Sequence, residues 1–209
     1  MNAPVDVLSF AALRSTHVRT QPCRAIVLHW TGGSGGPSQV YRTLRSRVGP
    51  RTPDGLSVHY VVGADGAIVQ MAPHSFVCLH AGVANEWSVG IEVVSPGFPM
   101  GAAHERERKV GVQRPAYLDR IRKARRPIRM LDFTAAQADA VTLLVETLCD
   151  TLRVKRAVPT DGDGSLLRRQ MTAAELAEFH GVMGHFHCHS TKLDPGTAPL
   201  ERLRVRWAR

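Results

Sequence analysis

Ala25-Ile26-Val27-Leu28-His29-Trp30, running into Thr31-Gly32-Gly33, is the stretch on which the fold turns. Six mostly apolar residues with β-branched members, stopped by paired glycines, spell a buried strand that carries His29 to its C-terminal end. Gly32 to Pro37 is then a loop, and from Ser38 the residues Val40, Tyr41, Leu44 and Val48 recur at helical spacing with Arg42, Arg45 and Arg47 between them. That periodicity predicts a helix laid on the face of the sheet. The glycines Gly32 to Gly36 lack the Gly-Lys-Ser/Thr ending of a phosphate loop, so a flexible rim of a cleft is the better reading.

Downstream the alternation continues. Ser57 to Val62 and Ile68 to Met71 flank Asp65-Gly66, whose glycine supplies the positive φ of a tight turn, and predict a hairpin. Ser88 to Val94 reads as a third apolar strand with one charged residue, Glu92. A buried carboxylate is costly without a partner, a metal or a catalytic task to account for it. Thr134-Ala135-Ala136-Gln137 is a capping box, and Val141, Leu144, Val145, Leu148 and Leu152 form a helical stripe, which predicts a long amphipathic helix over 134–153. A second capping box, Thr172 to Glu175, predicts a short helix ending near Gly181. The class that results is α/β: one domain over 25–209, with a mixed central sheet flanked by helices and a cleft at one edge, behind an N-terminal extension of 1–24.

The composition agrees with a chain that buries a core, since 44% of its 209 residues are hydrophobic. No run approaches the roughly 18 to 20 apolar residues of a membrane span. The N-terminus lacks the basic start and small-residue cleavage site of a signal peptide, so synthesis in the cytoplasm is expected. Cys23, Cys78, Cys149 and Cys188 are scattered without a Cys-x-x-Cys pair, which excludes a four-cysteine zinc site and a thioredoxin-type motif. The net charge of +9 favours polyanionic partners. Most of the excess lies between Gly97 and Leu131, where ten cations face three acids, and this stretch reads as a basic surface insertion. Without any nucleic-acid-binding signature, its expected partners are anionic envelope polymers and not a specific nucleic acid.

Gly184-His185-Phe186-His187-Cys188-His189-Ser190-Thr191-Lys192-Leu193-Asp194-Pro195-Gly196 is the densest chemistry in the chain. In an extended segment His185, His187 and His189 would share one face. A cluster of imidazoles followed by an acid suits a metal, and a catalytic zinc takes three protein ligands and keeps a fourth position for water. His29 is then either a satisfied core histidine or the ligand supplied from a distant strand.

Taken together and in order, these pieces resemble the zinc-dependent N-acetylmuramoyl-L-alanine amidases of the amidase-2 and peptidoglycan-recognition type. The pieces are Leu28-His29-Trp30-Thr31, Ser57 to Val62 with Asp65-Gly66, His80-Ala81-Gly82, Asn85, Ser88 to Glu92, Gly184-His185 and Lys192-Leu193-Asp194-Pro195-Gly196. The resemblance implies Zn2+ held by His29, His185 and Asp194, Glu92 as catalytic base, and Lys192 beside the reacting carbonyl. An aspartate at position 194, where animal recognition proteins carry cysteine, is similar to the muropeptide-recycling and related bacterial or phage branch. His187, Cys188 and His189 are extra candidate ligands. Trp30, His80, Asn85 and Trp87 are candidate walls of a groove for sugar and peptide. The substrate implied is peptidoglycan or a muropeptide; a lytic enzyme released by host lysis or a holin, a recycling amidase for anhydro-muropeptides, and a non-catalytic binding module all remain open.

Overall fold

The computed structural model describes residues 5–6, 17–50, 52–53, 55–121 and 126–208. Most of the expected N-terminal extension, and Arg122, Lys123 and Arg125 of the basic stretch, lie outside the described residues. In chain order the elements are β1 (Val5–Asp6), β2 (Ala25–Trp30), α1 (Pro37–Ser46), β3 (Tyr60–Val62), β4 (Ile68–Gln70), a 3-10 turn (Gly82–Trp87), β5 (Ser88–Val93), α2 (Gly101–Lys109), β6 (Ala116–Asp119), β7 (Ile128–Leu131), α3 (Ala135–Leu152), α4 (Ala173–Glu178), β8 (Gly181–Gly184), α5 (His185–Cys188) and α6 (Ala198–Trp207).

A six-stranded mixed sheet in the order β1-β4-β3-β5-β2-β8 forms the centre, and β6 and β7 make a separate hairpin. β2 lies between β5 and β8 and is parallel to both, while β3 and β4 are the antiparallel hairpin expected from Asp65-Gly66, with Gly66 at φ 85. Side chains alternate along each strand, so every second residue faces the same side. Ile26, Leu28, Val89 and Ile91 meet Val141, Leu144, Val145 and Leu148 of α3 and Leu200 and Leu203 of α6. On the opposite side Val40 and Leu44 of α1 cover Val61 and Val69, and Ala25 and Val27 meet Trp87, Leu176 and Met183. His29 and Glu92, out of phase with Leu28 and Ile91, belong to this second side.

The capping boxes are formed as the sequence predicts: Thr134 caps α3 with Gln137, and Thr172 caps α4 with Glu175. Three details differ. Val48 lies beyond α1 and is 64% exposed. Gly181 starts a strand instead of ending a helix, because α4 gives way at Phe179 and Gly181 to Gly184 pair with β2. The 97–131 stretch is also more than a surface addition: Arg114, its side chain 1% exposed, forms an ion pair with buried Glu107 and donates to Gln137 Oε1 and to the carbonyl of Val94. A buried pair of this kind is tolerated only when its remaining hydrogen-bonding groups are satisfied, and here they are spent on the end of β5 and the cap of α3. Its exposed cations Arg120, Arg126 and Arg129 do lie on the surface.

Candidate metal centre

Strand register assembles the centre. Leu28 pairs with Gly184, so His185, the first residue after β8, stands beside His29 at the end of β2, and His29 itself pairs with Glu92. Gly184 is small for a reason: a Cβ there would sit 2.7 Å from Pro195 Cδ. The glycine lets the Asp194-Pro195 loop close on the strand end, where the Phe186 amide donates to the Asp194 carbonyl at 3.1 Å. From the far side buried Asp119 takes the Thr197 amide at 2.7 Å, so the basic stretch helps to pin this loop.

The result brings three donors to one point. His29 Nδ1 lies 3.0 Å from His185 Nδ1 and 3.2 Å from Asp194 Oδ2, and His185 Nδ1 lies 2.9 Å from the same oxygen. All three residues are buried, and their ligand atoms fall within 4.8 Å of one another. Burial, and secondarily His185, brings the pKa of His29 down to about 4, which keeps its ring neutral. Burial opposes ionisation of Asp194, but the close contacts of its carboxylate with His185 and His29 outweigh it and hold the carboxyl well below the usual range. Two imidazoles and an ionised carboxylate facing one another form a possible metal site.

Glu92 and Lys192 share a cavity of about 210 Å³ with His29, His80, His185 and Asp194. Burial, reinforced by Asp194, pushes the Glu92 pKa well above its ordinary value, against the opposing charges of Arg47 and Lys192. Its Oε2 is buried and makes no hydrogen bond among the described residues. Trp30 lines the same cavity and stacks edge-on with Phe98 at 5.3 Å between centroids. Gly97, at φ 78, leaves room for that indole, since a Cβ would come within 2.6 Å of it.

The other candidates divide. His80 lines the cavity, but its ring is engaged with His29 and Ser88. Asn85 does not line it: its Oδ1 accepts from the amides of His80 and Ala81 and so shapes the loop. Trp87 is a packing residue in the second core with the Arg24 guanidinium 4.2 Å over its ring. The shared face expected for His185, His187 and His189 does not form, because residues 185–188 are a helical turn. His187 turns inward, accepting from Gly184 N at Nδ1 and bonding the Leu167 carbonyl through Nε2 at 2.7 Å. His189 is exposed and bonds Thr191, and Cys188 lies buried against Met183. Sequence reasoning missed Arg47, which lines this cavity and the adjoining one formed by Gly33, Gly35, Gln39 and Thr43. The only signal was its place as the last cation of the α1 pattern.

Comparison with known proteins agrees with this geometry. The Amidase_2 family model, N-acetylmuramoyl-L-alanine amidase, matches residues 19–197. No curated protein matches the chain by sequence. Among solved structures, the endolysin N-acetylmuramoyl-L-alanine amidase LysCS from Clostridium intestinale is similar at 15% identity and TM-score 0.56, over 93% of this chain and 90% of that one. The amidase AmiD from E. coli, solved with anhydro-N-acetylmuramic acid-L-Ala-D-gamma-Glu-L-Lys, is similar at 17% identity and TM-score 0.53, over 91% of this chain and 60% of that one. The Drosophila peptidoglycan recognition protein SD shares the fold at 16% identity and TM-score 0.52, over 94% of this chain and 90% of that one. The family match spans most of the chain and every residue of the centre, and by it the chain belongs to the Amidase_2 family and is an N-acetylmuramoyl-L-alanine amidase.

Proposed function

We propose that the chain is a zinc-dependent hydrolase that cuts the amide between N-acetylmuramic acid and L-alanine in polymeric peptidoglycan, with His29, His185 and Asp194 as the zinc ligands. The spacing of the donors supports this metal. Tetrahedral zinc with bonds of about 2.0 to 2.1 Å holds its ligand atoms roughly 3.3 Å apart, and the three separations here run from 2.9 to 3.2 Å. Bound there, zinc supplies Lewis acidity and brings the pKa of water to about 7.

The observation that carries the catalytic reading is Glu92: a buried carboxylate oxygen with no partner, on the wall of the cavity that holds the three donors. Burial that raises its pKa also makes it the stronger base. Glu92 accepts the proton of the attacking water and passes it to the leaving L-alanine nitrogen. Lys192, in the same cavity, offsets the negative charge that develops on the lactyl carbonyl oxygen, a task worth roughly 3 kcal/mol for a donor of this kind. Trp30 forms part of the wall against which substrate lies. A binding-only module would have no use for the unpartnered Glu92.

Action on the polymer would make the chain a cell-wall lytic enzyme, with the exposed Arg120, Arg126 and Arg129 drawing it to anionic envelope polymers. End-group labelling of digested peptidoglycan tests the bond cut: L-alanine must appear as the new amino terminus. Faster cleavage of soluble anhydro-muropeptide than of the polymer would assign the recycling role instead.

A further inference from the structure

Four pieces of sequence that the chemistry above leaves unused, His80, Asn85, Ser88 and Gly90, meet behind His29. Ser88 Oγ lies 2.6 Å from the carbonyl of Ala84, to which it donates its one hydrogen. Its contact with His80 Nε2, at 3.4 Å, must therefore be one in which the ring donates and the hydroxyl accepts. A neutral imidazole with its hydrogen on Nε2 has only a lone pair at Nδ1. That nitrogen lies 3.0 Å from His29 Nε2, so His29 donates there and carries its own lone pair on Nδ1. Nδ1 is the atom that faces His185 and Asp194.

The relay is held from both sides. Asn85 Oδ1 takes the amides of His80 and Ala81 at 3.0 and 2.7 Å, fixing the loop that presents the ring. Gly90 leaves the space it occupies, because a Cβ at that position would sit 2.7 Å from the ring. The two rings meet edge to face at 85° with centroids 5.2 Å apart.

We propose that His80, set by Ser88, is a positioning residue that fixes the tautomer and the orientation of the ligand His29, and with them the affinity of the site for its metal. The inference rests on the metal reading given under the proposed function and adds to it the part of the protein that tunes the ligand. Groups that orient a metal-bound histidine in this way change metal affinity by about 10 to 100-fold when removed.

The test compares the full-length chain with His80→Phe, His80→Asn and Ser88→Ala. It measures the zinc dissociation constant by chelator competition and the solvent exchange of the His29 Nε2 hydrogen by nitrogen-15 NMR of the zinc-loaded protein. His80→Phe keeps an aromatic ring but has no acceptor, and is expected to weaken zinc by about 10 to 100-fold and to lose the protected Nε2 signal. His80→Asn restores an acceptor near the Nδ1 position and is expected to recover most of both, while Ser88→Ala weakens zinc to a smaller degree. Unchanged zinc affinity in His80→Phe, or an Asn variant as weak as the Phe variant, would overturn the assignment. If His80→Phe does not fold, Ser88→Ala decides: unchanged affinity with an unchanged His29 signal rejects the relay. Neither readout involves substrate, so absence of peptide release from peptidoglycan would sink the amidase reading without altering these results.

Discussion

His29 and Glu92 are register partners on adjacent parallel strands, β2 and β5, with both side chains on the side of the sheet that faces the cavity. A proposed ligand and the proposed base are thus set against each other by the main-chain ladder and not by loops. Glu92→Gln keeps the shape and removes the base. The expected outcome is a loss of turnover of roughly 10² to 10⁴-fold, with zinc content by atomic spectroscopy and the melting temperature both retained; undiminished turnover would reject the assignment.

Arg47 lines both cavities of the cleft and makes no side-chain hydrogen bond or ion pair among the described residues. The stem peptide of peptidoglycan carries carboxylates, so a free cation at the rim is placed to meet one. Arg47→Ala is predicted to raise KM by roughly 5-fold with little change in kcat, since an exposed charge contact is worth up to about 1 kcal/mol. Salt should shrink the difference, and steady-state kinetics at two ionic strengths checks it.

The buried ion pair predicts a stability effect far from the cleft. Arg114→Met leaves Glu107 charged and buried and strips the Val94 carbonyl and Gln137 Oε1 of a donor. Losing one partner of such a pair costs about 3 to 5 kcal/mol, while replacing both by apolar residues of similar volume costs much less. Denaturant melts of Arg114→Met, Glu107→Leu and the double variant should show the double variant as the more stable of the three.

His59 gives the chain an acid-sensitive point. It is fully buried, accepts from the Gly90 amide at Nδ1 and bonds the Phe76 carbonyl through Nε2. Burial lowers its pKa to about 3, so the folded state resists a proton that the unfolded state takes near 6.5. Its contribution to stability is therefore complete above about pH 6.5 and is lost as the pH falls towards 3, by roughly 2 kcal/mol on reaching pH 5. His59→Gln should be less stable at pH 7 but show a shallower decline between pH 6.5 and 5 in thermal melts.

Much of this was legible in the sequence because the decisive signals are local. The apolar run at 25–30 and the capping boxes at Thr134 and Thr172 form the elements they predict. Of the three donor residues, His185 and Asp194 stood out near Gly184 and Gly196, which the geometry requires to be glycine, and His29 stood out near the end of an apolar strand. What escaped notice depends on contacts between distant residues. β8 has only four residues, two of them glycine, and is a strand because β2 offers it a ladder. The basic stretch reads as exposed because the partners of Glu107 and Asp119, which are Arg114 and the Thr197 amide, lie seven and many more positions away in the chain. Trp87 and Asn85 match sugar-binding residue types, yet one fills a core and the other bonds main-chain amides. Residue type alone does not say which way a side chain points.

The central claim is tested most directly by mass spectrometry of purified peptidoglycan digested with the protein as isolated, after chelation, and after zinc is restored. The account predicts free stem peptides beginning with L-alanine, lost on chelation and regained with zinc. Peptide release that persists after the metal has been removed, or no release under any of the three conditions, would contradict it.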